Sequence, residues 1–134
     1  MSAQKHHDEE HEQILREMEE HFGPLFESSP VGVYLYVNDV HKICNERMAQ
    51  MHGMTVEEWR NRPTFLNDFI AQEDRGLYAR NYQQHVAGLM RHPVTFRFRG
   101  LRKDGSTFTA ETDMIPLCWR GHAVAYHFVR EISG

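Results

Sequence analysis

Three apolar-alternating segments separated by two tight turns form the strongest structural pattern in this sequence. The segments run over 94–100, 108–114 and 122–133. An Asp-Gly pair between the first two is typical of a β-hairpin, because both residues of such a turn must tolerate positive φ. Period-two alternation gives the first two segments one apolar side and one charged side. We therefore predict an antiparallel meander with one apolar and one wet face. The side chains predicted on the apolar face are Phe96, Phe98, Phe108, Ala110 and Met114.

The N-terminal region reads as an amphipathic helix over residues 8–22 that ends at Gly23-Pro24. Its apolar stripe is narrow and its opposite face is strongly acidic. We expect the helix either to pack across the sheet or to pair with the same helix of a second chain. The predicted stripe consists of Ile14, Leu15, Met18 and Phe22.

The middle of the chain predicts two strands followed by helices. The strands are expected over 31–37 and 41–44, with Asn45 as N-cap of the first helix and Thr55 opening a capping box. A longer helix is expected over 73–89. Its inner face is predicted to carry Tyr78, Tyr82, His85 and Leu89. This order indicates an α+β domain with helices gathered on one side of an antiparallel sheet.

Length and charge exclude several classes of function. The chain has 134 residues, which suits a single domain, and a formal net charge of −4, which argues against a nucleic-acid partner. No apolar run approaches the roughly 20 residues of a membrane span. The charged N-terminus is unlike a signal peptide, and the two cysteines are expected to be free. These features predict a cytoplasmic protein with no membrane partner.

Four short motifs, in this order and spacing, resemble the PAS domain family of sensory modules in bacterial signalling proteins such as histidine kinases. The resemblance covers residues 25–133. Leu101 stands where the family usually has tryptophan, and Glu-Ile-Ser replaces the usual Asp-Ile-Thr at the end. The motifs are Ser28-Ser29-Pro30-Val31-Gly32, Asn45 to Gly53 continued by Thr55 to Trp59, Arg102-Lys103-Asp104-Gly105, and Arg130-Glu131-Ile132-Ser133.

The resemblance implies a PAS fold, with a five-stranded antiparallel sheet and helices on one face, over residues 23–134. Residues 1–22 would be an N-terminal helical extension. It also implies a ligand cavity between the central helix and the inner sheet face, and an output end where Arg102 pairs with Glu131. The predicted pocket residues are His127, His85, Tyr82, Phe96, Phe98, Phe108, Met114, Met48, Met51 and Val129.

The cofactor is unknown from the sequence. Flavin is disfavoured, because the positions that match flavin-binding amides in light-sensing relatives are Gly100, Ala110 and Val129. Haem is a possible cofactor, with His85 or His127 as axial ligand and Met48, Met51, Met90 or Met114 as a second ligand or apolar wall. His7 and His11 have metal-binding i, i+4 spacing, but a solvated helix end is the favoured interpretation.

Three functions follow from this reading. The first is signal transduction, in which a small-molecule ligand or cofactor in the cavity controls a downstream histidine kinase, cyclic-dinucleotide enzyme or transcription regulator. The second is a dimerisation-only module with a cavity filled by side chains, and the third is a haem-based gas or redox sensor. We predict a homodimer through the N-terminal helix and a regulatory rather than catalytic chain, although a full-length parent could be a histidine kinase or diguanylate cyclase.

Overall fold

The computed structural model describes residues 2–89 and 92–132, with side chains from residue 9 onward. Within these residues, five helices and five strands follow one another, and a 3₁₀ turn, Gln72–Asp74, precedes the last helix. In chain order they are α1 Ser2–Ser28, β1 Gly32–Tyr36, β2 Lys42–Cys44, α2 Glu46–Met51, α3 Val56–Arg60, α4 Phe65–Phe69, α5 Arg75–Val86, β3 Val94–Leu101, β4 Thr107–Trp119 and β5 His122–Glu131.

The strands form one antiparallel sheet in the order β2-β1-β5-β4-β3. The predicted meander is confirmed, because β4 pairs with β3 on one side and β5 on the other. Strand β1 joins the free side of β5 and places Tyr34 opposite His127. On the other side of β5, His127 lies opposite Met114 of β4. This register brings residues from the two halves of the chain together on the inner face.

Both predicted turns of the meander are present, but the backbone of the first differs from the prediction. At Asp104-Gly105 only the glycine has positive φ, at 90°, and the Asp104 carboxylate accepts a hydrogen bond from the Ser106 amide. The turn between β4 and β5 instead has positive φ at both Arg120 and Gly121. It is therefore the second turn that has the backbone of a two-residue hairpin.

Helix α1 continues through Gly23-Pro24 to Ser28, so the predicted helix end at residue 22 is wrong. Proline usually interrupts a helix because it lacks an amide hydrogen and its ring crowds the preceding turn. Tertiary packing outweighs this cost here. The rings of Phe22 and Phe26 lie 5.1 and 6.4 Å from the ring of Tyr126 on β5.

Helix α1 covers the outer face of the sheet with the predicted apolar stripe. Ile14, Leu15 and Met18 are buried in one cluster with Val33 and Leu35 of β1. The predicted wet face is thus exposed to solvent only toward β3 and β4, where ion pairs such as Arg97 with Glu111 join the two strands. The stripe is occupied within its own chain. Pairing with a second chain, which remains a prediction, would need another surface of α1.

The side chain of Asn45 ties the helical half of the chain to the sheet. Its oxygen accepts hydrogen bonds from the amides of Met48, which confirms the predicted N-cap of α2, and Val33 of β1. Its amide group donates to the carbonyls of Phe26 and Val31. The asparagine therefore fixes the chain where α1, β1 and α2 meet.

The other predicted helix signals have mixed outcomes. The capping box is confirmed, because Thr55 and Glu58 exchange side-chain to backbone hydrogen bonds. Helix α5 is shorter than predicted and ends at Val86, so Leu89 lies beyond it with 74% of its surface exposed. Among residues 2–89 and 92–132, no helix combines the length and apolar character needed to cross a membrane.

Candidate functional site

A pocket of about 180 Å³ lies between helices α4 and α5 and the inner face of the sheet. Strands β1, β4 and β5 form its floor, and the two helices form its walls. Its lining is mainly aromatic, with one imidazole and one amide. The lining residues are Tyr34, Tyr36, Phe65, Leu66, Tyr78, Ala79, Tyr82, Gln83, Met114 and His127.

Three of the predicted pocket residues line this space, namely Tyr82, Met114 and His127. Two other predicted residues, Phe96 and Phe98, do not line the pocket but pack against the lining residue Tyr78. The rings of Phe96 and Phe98 each lie 5.0 Å from the ring of Tyr78 in edge-to-face contact.

The other predicted residues lie elsewhere in the core. His85 is buried, but its Nε2 lies 3.1 Å from the carbonyl oxygen of Val124 and its side chain does not line the pocket. Phe108 packs over Gly100. Val129, Met48 and Met51 also pack away from the pocket lining.

Most of the lining was missed by sequence reasoning. The sequence patterns do not identify six lining residues, whereas they do predict Tyr78 on the inner face of its helix. The six are Tyr34, Tyr36, Phe65, Leu66, Ala79 and Gln83. The helical spacing could have identified both missed residues of α5, because Ala79 lies three residues before Tyr82 and four before Gln83, and residues three to four apart are adjacent on a helix.

His127 is the polar residue at the floor of the pocket. It is 3% exposed and its ring stacks on that of Tyr34, with 4.0 Å between centroids and 6° between planes. Its Nδ1 atom is buried and makes no well-aligned hydrogen bond within the described part of the chain, although the Ala125 backbone lies close enough to influence the imidazole. Burial lowers the pKa of His127 to about 3, against a weaker opposing effect of the Ala125 backbone. The imidazole is therefore neutral, and a buried nitrogen without a partner costs free energy unless something binds it.

The hydroxyl groups of the four tyrosines already have partners. Those of Tyr34 and Tyr78 share a hydrogen bond of 3.0 Å. Tyr36 donates to the carboxylate of Asp39, and Tyr82 donates to the carbonyl of Val37. Burial raises the pKa of each of these phenols. The tyrosines thus remain neutral and offer the pocket mainly their rings.

A buried lysine holds the loop beside the pocket mouth. Lys42 has no exposed surface, and its ammonium group donates to the carbonyls of Asp39, Arg60 and Arg62. It also lies 5.9 Å from the ring centroid of Trp59. Burial lowers the pKa of Lys42, and the Asp39 carboxylate opposes this shift. The lysine therefore joins the loop after β1 to the end of α3.

We expect Lys42→Met to lower the free energy of unfolding by about 2 kcal/mol, because hydrogen bonds to charged groups contribute about 1.5–3 kcal/mol each and part of that is offset by desolvation of the charge. Urea unfolding measures the change. Lys103→Met is the matched control, since Lys103 forms an exposed pair with Glu58 and should change stability by less than about 1 kcal/mol. Equal stability of wild type and Lys42→Met would contradict this role.

The predicted pair at the output end is present. Arg102 Nη2 lies 3.2 Å from Glu131 Oε1, linking the loop after β3 to the end of β5. The Arg102 guanidinium also lies 5.2 Å from the ring centroid of Phe108. The last residue of the predicted output motif, Ser133, lies outside the described residues.

The pocket does not fit a haem. Pockets for drug-sized ligands span about 300–1,000 Å³, and 180 Å³ is below that range. His85 is directed at a backbone carbonyl, and the ring of His127 is stacked on Tyr34. Met90, a suggested second ligand, lies outside the described residues. The described residues thus offer no axial ligand that faces a space large enough for the macrocycle.

The histidines of α1 form no metal site among the described residues. The side chains of His6 and His7 lie outside the described part of the chain. His11 instead packs against the rings of His41 and His122, at 5.3 and 5.1 Å between centroids.

A larger depression of about 650 Å³ lies between α1 and α2. It is open to solvent, and charged side chains such as Glu19, Glu46 and Arg47 line it. Such a surface groove provides little burial for a small molecule, so the aromatic pocket is the better candidate site.

Comparison with known proteins agrees with this architecture. A family model described as the PAS fold matches residues 41–129. No curated protein matched the chain.

Several solved structures share the fold at low sequence identity. A PAS domain from a two-component sensor histidine kinase is 19% identical with a TM-score of 0.65, and the match covers 87% of this chain and 99% of that one. The PAS domain of an HTR-like protein from Haloarcula marismortui is 22% identical with a TM-score of 0.64, covering 92% and 99%. The PAS domain of the fruit-fly ELK potassium channel is 9% identical with a TM-score of 0.66, covering 86% and 97%.

Proposed function

The chain belongs to the PAS-fold family, and from this premise we propose that it is a sensory module that binds a small molecule in the aromatic pocket and passes the binding event to an effector. The observation that carries the proposal is His127 Nδ1. His127 lines this largely apolar pocket and its buried Nδ1 has no hydrogen-bond partner among the described residues, so its side chain can supply the polar contact that a ligand-binding site needs.

The sheet provides a physical route from the pocket to α1. Tyr34 and Tyr36 of β1 line the pocket, while the alternate residues Val33 and Leu35 pack against the α1 stripe. Strand β5 has the same division, with His127 inside and Tyr126 outside. A ligand that moves β1 or β5 therefore acts on both faces at once. The Arg102–Glu131 pair at the end of β5 remains a second proposed output point.

The effector is proposed only by class: a histidine kinase, a cyclic-dinucleotide enzyme or a transcription regulator in a cytoplasmic signalling protein. The dimerisation-only alternative assumes a filled cavity, and the open volume beneath α5 favours ligand binding over it. A homodimer remains compatible with ligand binding. Native mass spectrometry of the purified chain reports its mass together with any molecule that co-purifies.

We expect a small-molecule library to contain compounds that raise the melting temperature of the wild-type chain. A ligand at a hundred times its dissociation constant adds about 2.7 kcal/mol of stability. The matched control is Ala79→Leu, which adds carbon atoms at the pocket wall on α5 and should abolish the shift. Hydrogen exchange with and without the compound should then show altered protection in α1. A chain that responds to no compound, or responds equally in Ala79→Leu, would contradict the proposed function.

A further inference from the structure

The pocket carries information about the chemistry of its ligand, an inference that rests on the proposed function. Among the described lining residues, none has a charged side chain at neutral pH. The four tyrosines and His127 are all held neutral by burial. An ion placed here would lose its hydration without gaining a counter-charge, which costs several kcal/mol. The pocket therefore selects a neutral molecule.

The volume of the pocket limits the size of that molecule. An engineered cavity of about 150 Å³ takes up benzene, whereas drug-sized ligands need about 300 Å³ or more. At about 180 Å³, the space suits one six-membered ring with a small substituent, or a compact fused pair of rings.

The walls favour an aromatic guest. The rings of Tyr36 and Tyr82 meet edge to face at 4.9 Å, and Tyr36 contacts Phe65 in the same manner at 5.2 Å. Tyr78 lies 5.7 Å from Phe65 on the far side. Aromatic rings gain about 0.5–1.5 kcal/mol from such contacts beyond simple burial. The aromatic ring of a ligand could make further contacts of this kind with the rings of the pocket wall.

One buried polar contact remains for the ligand, because the Gln83 amide, the other polar group of the lining, belongs to an exposed residue. The tyrosine hydroxyls are paired with protein groups, whereas Nδ1 of His127 has no partner among the residues that the structure describes. Stacking on Tyr34 fixes the plane of the imidazole. A hydroxyl or ring N–H on the guest would satisfy this nitrogen and orient the molecule.

We propose that the ligand is a small neutral aromatic compound, with one or two rings and a single hydroxyl or N–H group that hydrogen bonds to His127. The probes are 4-methylphenol and indole. The comparison compounds are toluene, which lacks the hydroxyl, and benzoate, which is of similar size but carries a charge. Calorimetric titration of the full chain measures each affinity.

We expect 4-methylphenol and indole to bind more tightly than toluene, and benzoate not to bind. His127→Phe keeps the stacked ring but removes the hydrogen bond. It should weaken 4-methylphenol roughly three- to tenfold while leaving toluene unchanged, which matches the usual contribution of one hydrogen bond. Ala79→Leu should abolish binding of all three compounds. If His127→Phe does not fold, comparison of 4-methylphenol with toluene on the wild-type chain still tests the hydrogen bond.

The outcomes separate this inference from the proposed function. In one outcome, the probes do not bind, but benzoate or non-aromatic library compounds do, and Ala79→Leu abolishes their binding. That result would overturn the proposed ligand class and leave the sensory role intact. Equal affinity for 4-methylphenol and toluene would overturn the role of His127. If no compound binds in a way that depends on Ala79, so that Ala79→Leu abolishes no binding, both the ligand class and the proposed function would be overturned.

Discussion

Between pH 7 and pH 5 the free energy of unfolding of this chain should fall by about 4 kcal/mol, because two buried histidines remain neutral in the folded state. Burial lowers the pKa of His127 to about 3 and that of His52 to about 4. His52 lies outside the pocket. Its Nδ1 is 2.6 Å from the Leu101 carbonyl oxygen, and its buried Nε2 has no partner in the described parts of the chain.

The direction of the effect follows from proton uptake. In the unfolded chain these histidines take up protons near pH 6.5, whereas in the folded chain they stay neutral until about pH 4 and pH 3. The stability that they provide is fully present above pH 6.5 and is lost as the pH falls below it. Each contributes about 1.4 kcal/mol per pH unit, so about 1.5 units below pH 6.5 gives roughly 2 kcal/mol per histidine.

Urea unfolding at pH 7, 6 and 5 measures this loss. His127→Phe and His52→Phe should each reduce the pH dependence by about one proton, whatever their effect on stability at pH 7. Leu35→Val, at a buried site without a titratable group, is the control and should leave the slope unchanged. A free energy of unfolding that stays constant from pH 7 to pH 5 would contradict the neutral state of both histidines.

The acidic residues affect a lower pH range. Arginine, lysine and serine partners hold the pKa of several surface carboxyl groups below the ordinary value. Their contribution is present above that value and declines as the pH falls below about 4. The interval from pH 6.5 to pH 5 therefore reports mainly on histidine. The carboxyl groups with lowered pKa are Glu17, Glu58, Asp104, Glu111 and Asp113.

The fold was predictable where the pattern is local. Alternation in β3 and β4 reports directly which side chains face inward, and the caps at Asn45 and Thr55 act within one helical turn. The end of α1 was not predictable, because the packing of Phe22 and Phe26 on Tyr126 joins segments far apart in the sequence. Capping and helix-breaking residues report only on the neighbouring turn, so they do not predict such tertiary contacts.

Only the part of the candidate site that β4, β5 and α5 provide was predictable from the sequence. Met114 and His127 follow from alternation in the meander, and Tyr82 follows from the helical face. Strand β1 is apolar on both faces, because α1 covers the side that solvent would otherwise occupy, so its sequence does not show that Tyr34 points inward. The burial of Lys42 was also not predictable, because it depends on residues far away in the sequence. Its carbonyl acceptors at Arg60 and Arg62 come from the end of a different element.

Gly100 should be the most sensitive glycine of the sheet. It lies on the inner face of β3 opposite Phe108, and the phenyl ring occupies the space where a Cβ atom would be. An added Cβ would lie 2.3 Å from Phe108 Cζ, far inside van der Waals contact. The ring has little freedom to move, since it is buried and packs edge to face against His52 at 5.0 Å.

We expect Gly100→Ala to lower the free energy of unfolding by about 2–3 kcal/mol, in the range measured for overpacked cores. Gly76→Ala is the control, because a Cβ at Gly76 on α5 meets nothing within 4 Å and should be neutral or stabilising by up to about 1 kcal/mol. In a Phe108→Leu background the cost of Gly100→Ala should fall below about 1 kcal/mol, because the smaller side chain leaves room for the added methyl group.

A double-mutant cycle on urea unfolding separates this steric origin from a general loss of sheet stability. Residues in direct contact couple by about 0.5–3 kcal/mol, so the cycle should show a coupling of at least 1 kcal/mol between positions 100 and 108. The same penalty in both backgrounds would mean that Phe108 does not fill this space. The result also bears on the pocket. If the ring is fixed over Gly100, this end of the inner face is closed, and a ligand is confined to the space between Tyr82 and His127.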